Sequence, residues 1–292
     1  MTENLKFYSS TDLEFALKLL AEDENIEVIA GGTDLMVDIR EEEDYLDQCT
    51  GILDLTDIQD MQGIEKKESH VEIGALVTHE ELLNSSLLQE HYPALVQAAE
   101  AIGSPQVRNR GTIGGNICNA AACADTFGPL VAFDADAVLE STTGIRVMPA
   151  QEFVEWPYQT KLRSDELLTH FRLPLPENNM FSDFQKIGRR QAMAITRVSL
   201  AVAAKVEDEI VKNVKVVPGS ATPVPQPFGQ VETEIRGQRI TELKPDKLGE
   251  TAAEEMVEIT GERWSTPYKK PALKTLVSRA IKGLQKEVEF NE

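Results

Sequence analysis

Two glycine-rich segments hold the residues best suited to chemistry: Ala30-Gly31-Gly32-Thr33-Asp34-Leu35 and Arg108-Asn109-Arg110-Gly111-Thr112-Ile113-Gly114-Gly115-Asn116. A diglycine presents successive backbone N–H groups with no Cβ in front of them. Turns of that kind attract anions, phosphates above all. The second segment predicts a similar device, with Thr112 and Asn116 adding side-chain donors and acceptors. Two such devices suit a ligand with two adjacent phosphates, and a dinucleotide answers that description. Arg108, Arg110, Arg189 and Arg190 are candidates either to clamp phosphate or to pair with carboxylates of a partner; the sequence does not choose between these.

The elements that must position these loops are legible as patterns. Thr11-Asp12-Leu13-Glu14 predicts a capping box, and Leu13, Ala16, Leu17 and Leu20 fall on one face of the helix it opens. The apolar run 26–30 predicts a buried strand that delivers the chain into the first glycine loop. The acidic run 41–44 reads as a solvated loop or helix start. Further strands are predicted over 52–55, 71–76, 131–133, 137–140, 145–147 and 167–173. Thr78-His79-Glu80-Glu81 is a second capping box, leading a helix through Leu82, Leu83 and Leu87. Pro93 at a first helical position and Gly103 at the close bracket a helix with Leu95, Ala98, Ala99 and Ile102 on its apolar face. That helix leads directly into the second glycine loop.

Pro174, Pro176 and Glu177-Asn178-Asn179 form the clearest linker, which divides the chain into residues 1–176 and 180–292. Beyond it, 181–187, 198–206 and 210–217 predict antiparallel strands, followed by a Pro-rich loop over 218–227. Helical signals return over 245–259. The last helix carries Leu273, Leu276, Val277, Ala280, Ile281, Leu284 and Val288 at amphipathic spacing. The fold class is α+β, with a C-terminal domain built as a small three-stranded antiparallel sheet packed by helices.

At 292 residues the chain is long enough for two domains, and 41% hydrophobic with 27% charged residues is ordinary globular composition. A net charge of −20 argues against nucleic acid and anionic membrane surfaces as partners. Residues 1–6 have no basic n-region and no apolar h-region, so no signal peptide is expected, and the longest apolar run, 198–204, is too short to span a bilayer. Cys49, Cys118 and Cys123 suggest no disulfide framework, and a reducing cytoplasm is the simplest compartment. The spacing of Cys118 and Cys123 invites an iron–sulfur or metal reading. A cluster needs four ligands, however, and no His70, His79, His91 or His170 pattern completes a metal site, so buried small thiols are the expectation. Trp156 and Trp264 are expected to pack in cores.

Two common dinucleotide devices fail on spacing. Asp54 stands where the acid of a Rossmann unit would be, yet Gly31-Gly32 lacks the third glycine and 35–40 predicts no convincing helix. Neither loop is followed by the lysine of a P-loop. Instead the A-G-G-T-D-L loop, then R-N-x-G-T-I-G-G-N at 108–116 and then Asp125, resembles the FAD-binding subunit of the molybdenum hydroxylases. These are the xanthine, nicotinate and carbon monoxide dehydrogenase relatives. The resemblance covers almost the whole chain, and it implies an FAD-binding domain of the vanillyl-alcohol oxidase and p-cresol methylhydroxylase type, made of two α/β subdomains.

The resemblance further implies that Ile29, Ala30, Gly31, Gly32, Thr33, Asp34 and Leu35 wrap the FAD pyrophosphate. Thr112, Gly114, Gly115 and Asn116 would hold its other side, with Ile102 and Gly103 near the ring. Asp125 would accept hydrogen bonds from ribityl or ribose hydroxyls, Leu168 would touch the flavin edge, and Lys186 would approach the isoalloxazine. Plain structural roles stay open: a tight turn at Gly31-Gly32, a helix cap at Asp125, a surface lysine at Lys186. No catalytic residue and no metal ligand is expected. By resemblance the chain is an electron-transfer subunit, with a molybdenum-cofactor subunit and a 2Fe–2S subunit as partners and NAD among the candidate acceptors. A free-standing FAD oxidoreductase, for which His170 and Tyr158 are the available acid–base candidates, and a non-catalytic assembly subunit are the alternatives.

Overall fold

The computed structural model describes residues 5–176, 180–190 and 193–290; Glu177, Asn178 and Asn179 of the linker, the first four residues and the last two lie outside that set. The chain opens with β1 (Lys6–Ser9), α1 (Leu13–Glu22), β2 (Ile26–Ile29), α2 (Leu35–Glu41) and β3 (Gly51–Asp54). These three strands pair in parallel in the order β1-β3-β2. Asp12 caps α1 by accepting from the Glu14 amide, so the cap lies one residue beyond the Thr11 that the sequence pattern marks.

A second sheet follows, built from β4 (Ile64–Lys66), β5 (His70–Gly74), β6 (Asp136–Ser141), β7 (Gly144–Pro149) and β10 (Leu167–Pro174), in the antiparallel order β4-β5-β10-β6-β7. Between β5 and β6 run six short helices: α3 (His79–Asn84), α4 (Ser86–His91), α5 (Pro93–Glu100), α6 (Pro105–Arg108), α7 (Ile113–Cys118) and α8 (Phe127–Ala132). After β7 come α9 (Ala150–Phe153) and the small ribbon β8 (Val154–Trp156) and β9 (Gln159–Thr160). Thr78 and Glu81 form the capping box of α3 in full. The helix ends at Asn84, because the Ser85 side chain caps α4 in its place.

Three expectations are corrected. The 131–133 run is not a strand but the end of α8, buried throughout; its apolar residues fill a core, and a three-residue run does not reveal its period. Residues 35–41 do form a helix, α2, although none of its residues is buried, which is why no apolar stripe announces it. Trp156 and Trp264 do not pack in cores: they are 53% and 88% exposed.

The third sheet, β11 (Met180–Gly188), β12 (Thr196–Glu207) and β13 (Ile210–Gly219), is antiparallel in that order. Alternate residues of β12 pack on opposite sides. Val198, Leu200, Val202 and Ala204 join a core with α10 (Gly229–Ile235), α11 (Pro245–Thr260) and α12 (Thr266–Phe290), while Ala201 and Ala203 join the core of the N-terminal sheets. A strand buried on both faces reads as a continuous apolar run, and that explains 198–204. Leu273, Leu276, Val277, Ala280, Ile281 and Leu284 of α12 are all buried; the side chain of Val288 lies outside the described set. Among the described residues no helix is long and apolar enough to cross a membrane.

Candidate functional site

The first glycine loop connects β2 to α2. The amides of Gly31, Gly32, Thr33 and Asp34 have no acceptor among the described residues, so four consecutive N–H groups are left for something else. Gly32 has φ +69°, which bends the loop through a conformation that L side chains rarely adopt. Gly31 serves a different need. A Cβ there would lie 2.0 Å from the Arg110 carbonyl oxygen and 2.9 Å from the Gly111 Cα, so the two glycine loops touch backbone to backbone at this point.

The second loop is built otherwise than its sequence suggests. Its amides are consumed by the fold: Ile113 donates to the Val77 carbonyl at 2.9 Å, Gly114 to Ala75 at 2.8 Å and Asn116 to Thr112 at 2.9 Å. The Gly115 amide donates to the Thr112 hydroxyl at 3.0 Å, which caps α7. Gly114 is required for close approach, since a Cβ there would meet the Ala75 Cβ at 2.6 Å. What this loop still offers a ligand is the Thr112 amide, the Asn116 side-chain amide and Arg110. The Asn116 Oδ1 is already taken by the Thr126 hydroxyl at 2.7 Å. Gly31, Asn109, Arg110 and Thr112 line one cleft of about 220 Å3, together with Thr56, Gln62, Leu76, Thr78 and Glu81.

Burial first, then the Asp125 carboxylate and last Asp34 of the first loop raise the Cys123 thiol, against the Lys186 ammonium, which lowers it. Asp125 is buried, and its carboxylate is bound from both oxygens. Thr196 of β12 donates at 2.6 Å and Lys186 of β11 at 2.7 Å. Lys186 also donates to the Ala101 carbonyl at 2.8 Å. Burial pushes the Asp125 carboxyl above the usual range although the Lys186 ammonium and Thr196 hydroxyl pull it down. This network joins the N-terminal region to the C-terminal sheet, and its Asp125 is one residue from Thr126, which donates to Asn116 of the second loop. Ile102 and Gly103, the latter at φ +46°, follow Ala101. Leu168 is buried in β10 beside Thr169, whose carbonyl accepts the Ala75 amide at 2.8 Å, and Ala75 in turn accepts Gly114.

The structure thus brings Gly31 together with 110–112, and 101 and 125 together with 186. Thr56, Gln62, Thr78, Glu81 and Thr196 also belong to this region and were not expected there. Thr78 and Glu81 had a visible signal, but only as a helix cap; Thr56, Gln62 and Thr196 had none. Of the four arginines, Arg108 is held by Glu80 at 2.9 Å and by the Glu100 and Ile102 carbonyls, and Arg190 donates to the Met193 carbonyl at 3.0 Å. The two spaced cysteines form no disulfide and are partly buried rather than fully buried as expected; desolvation pushes the Cys118 thiol up to about 12 and Cys123 in the same direction. Tyr158 is 71% exposed at the β8–β9 turn, and His170 lies in β10 across from Gly74.

A row of free amides abutting a second loop is suited to an anionic ligand. Residues 3–176 match the family described as the FAD binding domain in molybdopterin dehydrogenase. Residues 183–284 match the CO dehydrogenase flavoprotein C-terminal domain. The chain is 27% identical over 283 residues to a xanthine dehydrogenase FAD-binding subunit of Escherichia coli O157:H7, covering 96% of both. It is 32% identical over 211 residues to a nicotinate dehydrogenase FAD-subunit of Eubacterium barkeri, covering 70% of each. A carbon monoxide dehydrogenase structure from Hydrogenophaga pseudoflava superposes with a TM-score of 0.87 at 25% identity, over 97% of both chains.

Proposed function

The chain belongs to the family of FAD-binding subunits of the xanthine dehydrogenase and carbon monoxide dehydrogenase type, and we propose that it is the electron-transfer subunit of its complex. FAD is its cofactor and it is an oxidoreductase subunit. In this reading it takes electrons from the 2Fe–2S clusters of one partner subunit, fed by a molybdenum-cofactor subunit, and passes them to NAD or another acceptor. The flavin supplies the redox chemistry when bound; the protein supplies orientation and electrostatics. Residues 1–176 form the FAD-binding domain, of the vanillyl-alcohol oxidase type, and 180–292 the C-terminal domain.

One observation supports this most: the four amides of Gly31 to Asp34 that have no acceptor among the described residues. They hold the pyrophosphate, flanked by Ile29, Ala30 and Leu35, with Thr112 and Asn116 on the far side. Gly114 and Gly115 let that side pack against Ala75 and the Thr112 hydroxyl, which holds it in place. Ile102, Gly103 and Leu168 border the ring, and Asp125 with Lys186 fixes its surroundings. Because Lys186 is neutralised by Asp125 at 2.7 Å, it acts on the flavin as half of a dipole rather than as a lone cation.

The test is reconstitution. The full chain mixed with FAD should give a yellow protein whose flavin is bleached by the complex's substrate only when the partner subunits are added. A chain that takes up no FAD would overturn the reading, and rapid NADH oxidation by the chain alone would favour a free-standing enzyme.

A further inference from the structure

Arg110 is the residue of the second loop whose role the fold leaves unexplained. It stands between Asn109 and Gly111. The Asn109 side chain is tied back to the Pro105 carbonyl at 2.7 Å. Arg108 is committed to Glu80 and two carbonyls. The Arg110 guanidinium, by contrast, has no acceptor among the described residues, and it lines the cleft with Gly31 and Thr112. Its own carbonyl occupies the space in front of Gly31. The side chain therefore springs from the junction of the two loops, within reach of anything that bridges them.

Electrostatics gives it a task. The chain carries a net charge of −20, and acids flank the junction: Asp34 at the start of α2 and Glu81 in the cleft wall. A diphosphate bridge brings further negative charge into that setting. The first loop meets it with amide dipoles alone, and the second loop has no comparable row of amides, since Ile113, Gly114, Gly115 and Asn116 all donate inward. Lys186 is neutralised by Asp125. A guanidinium forms a planar fork that matches phosphate oxygens, and such charge-assisted bonds are about twice as strong as neutral ones.

We propose that Arg110 is the counter-cation of the cofactor's diphosphate bridge, closing over it from the second loop. The proposal rests on the assignment of the glycine loops to the FAD pyrophosphate. It makes the loop's contribution a side-chain charge where its sequence suggests a backbone cradle, and it makes cofactor affinity sensitive to salt through one residue.

The test uses the full-length apoprotein with Arg110→Gln and Arg110→Lys variants. FAD affinity is measured by quenching of flavin fluorescence at low and high ionic strength, with riboflavin as a ligand lacking phosphate and ADP as a competitor lacking the flavin. Arg110→Gln should weaken FAD and ADP binding about tenfold to a hundredfold at low salt, the loss of one charge-assisted fork. Riboflavin binding should not change, and the difference between variant and wild type should shrink as salt rises. Arg110→Lys should recover part of the affinity. Thermal stability should be unchanged, because the side chain is exposed and has no acceptor among the described residues. Unchanged FAD and ADP affinity in Arg110→Gln, or equal weakening of FAD and riboflavin, overturns the proposal. Wild-type chain that binds neither FAD nor ADP instead overturns the assignment of the loops themselves.

Discussion

Gly31→Ala is the substitution that most directly tests how the two loops work together. The added Cβ would stand 2.0 Å from the Arg110 carbonyl oxygen, 2.6 Å from its carbon and 2.9 Å from the Gly111 Cα, all backbone atoms. No rotamer change relieves that contact. Ordinary packing begins at 3.4 Å, so the loops must part by about 1.4 Å, and hydrogen bonds of about 2.9 Å to a shared ligand then stretch beyond bonding range. A phosphate held by both loops keeps only one of them. Losing two charge-assisted hydrogen bonds at about 1.5–3 kcal/mol each removes about 3–6 kcal/mol, which lowers FAD affinity by at least about a hundredfold. Gly63→Ala is the matched control: φ is +85° but no atom lies within 4 Å. It should lower folding stability by about 1 kcal/mol through backbone strain alone and leave FAD affinity untouched. Fluorescence titration of apoprotein with FAD, paired with urea unfolding, separates the two. Wild-type affinity and stability in Gly31→Ala would refute the account of the loop junction.

Other expectations follow from the same geometry. His79 is 3% exposed, its Nδ1 has no partner, and burial beside Arg108 lowers its pKa to about 4. The folded chain thus binds fewer protons than the unfolded one between about 6.5 and 4, so stability falls as pH drops through that window. The loss is about 2 kcal/mol at pH 5 and about 3 kcal/mol in full, and His79→Gln should flatten this part of the urea-stability profile; an unchanged slope counts against it. Lys186→Met strands the Asp125 carboxyl and should cost about 3–5 kcal/mol by urea unfolding. The double variant with Asp125→Asn should recover part of that, and additivity of the two single losses would contradict the pairing. Thr78→Ala removes the capping box of α3 and should cost about 1 kcal/mol of stability in the same assay.

The sequence made some parts of this molecule readable because their signals are local. The Thr78–Glu81 capping box, Pro93 at the start of α5 and the α12 stripe depend on residues a few positions apart, and all are present. Helix α2 was illegible since it buries no residue. The end of α8 was misread because an apolar triplet has no measurable period. The glycine loops show the same divide. Their glycines announce tight backbone, but which amides remain free is decided by Val77 and Ala75, dozens of residues from Gly114 and Ile113 in sequence but in contact in space. Thr196 was invisible for a similar reason, as its partner Asp125 is 71 residues away.

The position of Lys186 is fixed by packing far from the glycine loops. Its strand, β11, sits at the edge of a sheet whose middle strand is buried on both faces, so sliding that sheet by one residue would turn Val198 and Leu200 onto the side where Ala201 and Ala203 now fit. Large side chains would then meet a wall built for alanines. The same register that prevents this places Lys186 opposite Ser199, and Thr196 opposite Gly188, which aligns the ammonium and the hydroxyl on the two oxygens of one carboxylate from the N-terminal domain. A buried acid with both oxygens engaged tolerates neither partner's displacement. Cutting the chain at the linker therefore does more than remove a lid. It takes Lys186 and Thr196 away from Asp125 and strips Ala201, Ala203 and Val217 from the core they complete, and the N-terminal region alone should bind FAD poorly even though every glycine of the cradle is its own.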